Sequence, residues 1–128
     1  MSRRTPLGQV LGHGSAKEGV AHWWVQRLTS VALVPLGVWL VVSLLALPVL
    51  DYATVSAWMR SGTTALLLVL TTLTAAWHSQ LGVQVVIEDY VHERGWKTLA
   101  LGLSSFAHVL TAAAAVLAVL RVALRSAL

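Results

Sequence analysis

The sequence contains no cysteine, one phenylalanine, three prolines and only five acidic residues in 128. Without cysteine there is no disulfide, no thiolate-held iron–sulfur cluster and no cysteine-ligated zinc, so any metal must rest on histidine nitrogen. A glycine-rich dinucleotide fingerprint is also missing, which removes the usual seat for a flavin or nicotinamide cofactor. Charge is scarce too. Charged residues make up 11% and hydrophobic residues 57%, a balance outside the range of soluble globular domains. The formal net charge of +4 does not make a nucleic-acid surface, because the basic residues are scattered around apolar runs rather than gathered on one face.

Three runs carry no formal charge: Leu28–Leu50, Ser61–Ile87 and Thr98–Leu120. Each is long enough to cross a hydrocarbon layer of ~30 Å at ~1.5 Å per helical residue. No strand-like alternation is present, so the expected fold is all-α, an integral membrane protein of three transmembrane helices near residues 24–48, 61–88 and 97–124. Residues 1–128 read as a single membrane-anchor domain in the lipid bilayer, with a glycine-containing polar tail over 1–21 expected to be irregular. The first apolar run is too long for a signal-peptide core, so the first helix is expected to remain in the mature protein. Pro35 should kink that helix and Pro48 should end it. Trp23, Trp24, Trp58 and Trp96 fall at expected membrane interfaces, while Gly102, Ser104, Ser105, Thr111 and Ala112–Ala115 suggest a close-packing face on the third span.

Ionisable residues inside such runs are costly and mark sites. His78 lies nine residues before Ile87, hence ~13 Å into the layer. Thr71, Thr74 and Gly82 share its helical face to within about 60°. Gly82 leaves a flat gap that suits a planar macrocycle, and b-type haem takes imidazole as axial ligand. Period and depth alone leave two readings open, an axial ligand or a histidine bonded to a neighbouring hydroxyl or carbonyl. Asp89 is eleven residues further on, about 20° off the same face and ~16 Å nearer the exit. A tyrosine hydroxyl beside a carboxylate, as in Asp89–Tyr90, can donate to a quinone carbonyl while the carboxylate orients it or takes up protons; an ordinary interfacial pair is the alternative. Arg27 opens the first span, where it can pair with a carboxylate or simply snorkel. His22 lies just outside.

His78, Gly82, Asp89 and Tyr90 form an H-x3-G-x6-D-Y pattern, and a His22…Arg27 segment precedes the first span. Together with the three spans these residues resemble the small membrane-anchor D-type subunits of succinate dehydrogenase, the succinate:quinone oxidoreductase of complex II. The resemblance runs over essentially the whole chain. It implies half of a haem-binding helical bundle, completed by a sister anchor of the C type that brings the second axial histidine. It also implies docking of an iron–sulfur subunit and a flavoprotein subunit, with no catalytic residue in this chain alone. In that family His78 would ligate haem b iron, Arg27 would approach a haem propionate, and Tyr90 with Asp89 would bind ubiquinone. The expected location is a bacterial-type inner (cytoplasmic) membrane.

His108 departs from the resemblance. It lies ten residues, ~15 Å, past Thr98, near the depth of His78, and a hydrogen-bonded structural role is favoured over haem ligation because adjacent helices at 8–10 Å are too close to sandwich a haem unless they splay. Two further classes remain: a fumarate reductase-type anchor, and a haem-free structural or small-transport membrane protein in which His78, Asp89 and Tyr90 line a path.

Of the nine Lys and Arg residues, Arg3, Arg4, Lys17, Arg27, Arg94 and Lys97 flank one membrane side, and Arg60, Arg121 and Arg125 the other. The bias places the N-terminus and the second loop inside and the C-terminus outside. A cysteine engineered near Asp51 or at the C-terminus should be labelled by an impermeant thiol reagent from outside. Labelling of position 92 from that side contradicts this orientation.

Overall fold

A computed structural model describes residues 19–125, all in helices and short connections. The helices are α1 (Gly19–Leu45), α2 (Tyr52–Met59), α3 (Gly62–Tyr90) and α4 (Arg94–Leu124). Three of them, α1, α3 and α4, are long and apolar enough to cross a membrane. The expected tail lies mostly outside the described residues, including Arg3, Arg4 and Lys17. Its end differs from expectation, since Gly19–Ala21 already belong to α1.

Helix α3 is the centre. It packs against α1 on one side and α4 on the other, and among the described residues α1 and α4 do not meet. Alternate directions follow from the short connections, so the start of α1, the end of α3 and the start of α4 share one end of the bundle. Helix α1 runs through Pro35, where the bond to the Val31 carbonyl is necessarily missing, and stops three residues before Pro48.

The helices meet through small and polar residues. Only Thr29, Ser56, Thr64, Ala65, Leu81 and Val119 are buried among the described residues, and half of them bear hydroxyls. Large apolar side chains such as Leu28, Val31, Leu66, Phe106 and Leu110 point outward. That inversion suits a solvent of lipid tails, where apolar groups gain nothing by leaving it and close approach of backbones decides the pairing. On α4 the face toward α3 includes Ser104, Ser105, Thr111, Ala112 and Ala115, whereas Gly102, Ala113 and Ala114 are exposed. A Cβ added at Gly102 would meet nothing within 4 Å, so this glycine is not a packing requirement of the chain.

The short helix α2 was not expected from the sequence. Asp51 caps it, its Oδ1 accepting from the Thr54 amide at 2.8 Å. Trp58 stacks on Trp39 of α1 with centroids 5.9 Å apart, and the Tyr52 hydroxyl accepts from Arg125 Nη1 at 3.3 Å. At the opposite end Glu93 caps α4, accepting from the Gly95 amide at 3.0 Å and the Trp96 amide at 2.7 Å. Lys97 Nζ donates to the Glu88 carbonyl at 2.9 Å and closes the end of α3. Three residues therefore suffice to turn the chain between α3 and α4.

The Trp96 amide, and then that of Gly95, hold the Glu93 carboxyl below the ordinary carboxylate range. A lowered pKa in the folded state means that the cap contributes above the unfolded value and is lost as pH falls through the folded one. Hydrogen exchange checks this. Protection of the Gly95 and Trp96 amides, corrected for intrinsic rates, should hold above pH ~4.3 and fall below it in the natural chain, and be low and flat in Glu93→Ala. Equal protection in the two proteins contradicts the cap.

Candidate functional site

Three polar residues of α1 fall on one stripe. His22, Gln26 and Thr29 are spaced i, i+4, i+7, which brings them to a single helical face, and that face meets α3. Thr29 is the only buried residue of α1 among those described, at 8% exposure.

His78 fills the seam opposite this stripe. Its Nδ1 lies 3.0 Å from the Thr29 hydroxyl and its Nε2 3.4 Å from Gln26 Nε2. Thr29 Oγ1 is also 2.9 Å from the Val25 carbonyl and 3.0 Å from the Gln26 carbonyl. Polar groups in this seam are thus tied to α1, but incompletely. Gln26 Oε1 and His22 Nε2 are buried and have no hydrogen-bond partner among the described residues. A buried polar atom without a partner is expensive, so their presence marks a place where another group belongs. Gly82, one turn from His78, adds room. A Cβ there would meet only Gln26 Nε2, at 3.8 Å, an ordinary contact, so nothing in this chain demands glycine at that position.

The structure spreads the other expected residues apart. Thr71, on the His78 face, donates back to the Leu67 carbonyl at 2.7 Å and offers no hydrogen to a ligand. Arg27 is exposed and turned away from the seam, its guanidinium carbon 5.1 Å from the Trp23 ring centroid. Asp89 and Tyr90 sit on the last turn of α3 and are exposed, Tyr90 at 78%. They share an end of the bundle with Arg27 and His22 without contacting them in this chain. Gln26 and Thr29 are the site residues that a search for ionisable groups passes over; the signal that finds them is the polar period in an otherwise apolar helix.

His108 occupies a second seam, between α3 and α4. Its Nε2 lies 3.2 Å from Ser79 Oγ and its Nδ1 2.8 Å from the Ser104 carbonyl. Gln80 donates to Ser105 Oγ at 3.3 Å beside it. Because Ser79 is the neighbour of His78 in sequence, the two histidines sit at one depth. They face different helices, with α3 between them. An open groove of ≈ 880 Å³ runs across α3 between α1 and α4, its polar lining made by Thr29, Thr74, Gln80, Ser105 and His108 beside Trp77 and aliphatic residues. His78 does not line it, and its one ionisable group, His108, is already hydrogen-bonded.

Residues 1–121 match the family described as succinate dehydrogenase/fumarate reductase transmembrane subunit. A succinate dehydrogenase hydrophobic membrane anchor subunit from Rickettsia bellii is 35% identical over 117 residues, 91% of this chain and 93% of that one. Its counterpart from Rickettsia conorii is 35% identical over 61% of this chain and 63% of its own. The succinate dehydrogenase membrane anchor subunit of Reclinomonas americana is 29% identical over 59% of this chain and 66% of its own. No solved structure matches the chain. With a family match across nearly its full length and three helices fit to cross a membrane, the chain belongs to the succinate dehydrogenase/fumarate reductase transmembrane-subunit family, as a membrane anchor.

Proposed function

We propose that this chain holds the flavoprotein and iron–sulfur subunits of a succinate:ubiquinone oxidoreductase at a bacterial-type inner membrane. With a sister anchor of the C type it binds haem b and completes the ubiquinone-reduction site. The family match supports the anchoring role, and the relatives named succinate dehydrogenase favour succinate oxidation over the fumarate reductase direction. The cofactor role rests on one observation. His78 presents Nε2 within a span, with only a 3.4 Å contact to Gln26, beside Gly82 and two buried polar atoms without partners.

These residues fit a b-type haem. When bound, it supplies a one-electron carrier within the membrane. His78 would hold the iron through Nε2, Gly82 would leave room on the same face, and Arg27 would pair with a propionate from the exposed side of α1. The polar ends of Gln26 and His22 are available to the same group. Tyr90, twelve residues and ~18 Å along α3 from His78, would donate its hydroxyl hydrogen to a quinone carbonyl. Asp89 would orient that hydroxyl or accept protons from the interior side. Both residues lie on the turn next to the rigid Glu93 cap, where a soluble donor can dock.

His78→Ala should lower haem retention in the purified complex or give a high-spin spectrum, whereas His108→Ala should leave the Soret band in place. The reverse pattern would move the ligand to α4, and a wild-type complex with no Soret band at all would favour the haem-free transport reading. Tyr90→Phe keeps the ring and removes one hydroxyl. A bond of that kind in a poorly hydrated pocket contributes ~1–3 kcal/mol, so quinone reduction should fall roughly 5- to 150-fold. Succinate oxidation by a soluble artificial acceptor should persist. Intact quinone reductase activity in Tyr90→Phe contradicts the quinone assignment.

A further inference from the structure

Thr29 carries one hydroxyl hydrogen and has three neighbours that compete for its attention. The carbonyls of Val25 and Gln26 stand at 2.9 and 3.0 Å, and His78 Nδ1 at 3.0 Å. A threonine within a helix ordinarily gives its hydrogen to a carbonyl of the preceding turn. Both nearby carbonyls are acceptors only, so neither can reverse that bond. The hydroxyl oxygen is then left with lone pairs toward the imidazole, and the nitrogen that meets it must carry the hydrogen.

The other side of the ring agrees. Nε2 faces the amide nitrogen of Gln26, a donor, and a donor there requires an unprotonated Nε2. The short Thr29 contact thus selects the tautomer, and the Gln26 amide nitrogen is compatible with it. A directional chain results: His78 Nδ1–H donates to Thr29 Oγ1, and Thr29 donates to the backbone of α1. The longer of the two ring contacts, 3.4 Å, is at Nε2, and the shorter, 3.0 Å, is at Nδ1. The ring is held at Nδ1 and only loosely covered at Nε2. Thr29 has the burial this demands, being the most enclosed residue of its helix among those described.

We infer that Thr29 is a positioning residue for His78, fixing the Nδ1–H tautomer so that the Nε2 lone pair is presented as a ligand. The inference rests on the assignment of haem b to His78 and adds how α1 tunes it. Hydrogen bonding from the distal ring nitrogen strengthens an imidazole as a donor to a metal, which favours the oxidised iron. Thr29→Val keeps the branched shape and removes the hydroxyl. Thr29→Ser removes the methyl and keeps the hydroxyl.

Redox titration of the haem in the intact complex distinguishes them. In Thr29→Val the ferric/ferrous equilibrium should move roughly three- to tenfold toward ferrous iron, a rise of ~30–60 mV at ~59 mV per tenfold for one electron. Thr29→Ser should titrate near the natural protein. An unchanged potential in Thr29→Val overturns the inference, and so does an equal shift in both variants, which would reflect packing rather than the hydroxyl. Should Thr29→Val fail to assemble, nitrogen NMR of the full chain labelled in its histidine rings gives the same decision without haem. His78 should show a protonated Nδ1 and an unprotonated Nε2, and the opposite tautomer overturns the inference. Failure of the haem assignment itself looks different: His78→Ala would then keep its haem whatever Thr29 does.

Discussion

An imidazole within a hydrocarbon layer has two nitrogens to satisfy and no water to help. At His78 the answer comes from a neighbouring helix, through the Thr29 hydroxyl and the Gln26 amide. Those two contacts fix both the register and the rotation of α1 against α3. With Thr29 and Gln26 turned inward, Arg27 must face outward beside Trp23. The same register puts the start of α1 at the level of the last turns of α3, so His22, Asp89 and Tyr90 collect at one end. One half-buried ring therefore organises the half of the protein that carries the proposed chemistry.

The remaining packing obeys the rule that lipid imposes on a helical protein. Among the described residues Leu81 and Val119 are the only larger apolar side chains enclosed, and close approach is made mainly by threonine, serine and alanine. Helix α3 can serve two partners because it carries two polar faces. His78 and Gly82 turn toward α1, and Ser79 and Gln80 toward α4. The second seam is saturated, since Ser79 and Ser104 occupy both nitrogens of His108. The first is not, because Gln26 Oε1 and His22 Nε2 lack partners among the described residues. That contrast between two histidines at one depth, rather than the size of any cavity, is what supports His78 over His108 as the proposed ligand.

The three long helices are legible in sequence because a charge-free run is a local property and its length converts directly into thickness. Helix α2 is not legible in that way. Its eight residues depend on the Asp51 cap and on Trp39 and Arg125, which come from other parts of the chain. The face of α3 bearing His78 and Gly82 follows from helical period alone, as does the location of Asp89 and Tyr90 near the exit. What the period leaves open is the partner across the seam, which depends on how α1 is rotated. Gln26 and Thr29 are neutral, so no search for charge in oil finds them; the spacing of His22, Gln26 and Thr29 does. Small residues on α4 are a partial guide, since Thr111, Ala112 and Ala115 line the seam with α3 while Gly102, Ala113 and Ala114 are exposed.

A density map of the intact assembly, with both anchors and both soluble subunits, at a resolution that separates side chains in the membrane, tests the central assignment most directly. His78 should reach the haem iron through Nε2 while its other nitrogen remains against Thr29 on α1. A map in which the iron is held by His108, or in which His78 stays against Gln26 with the haem elsewhere, would contradict it.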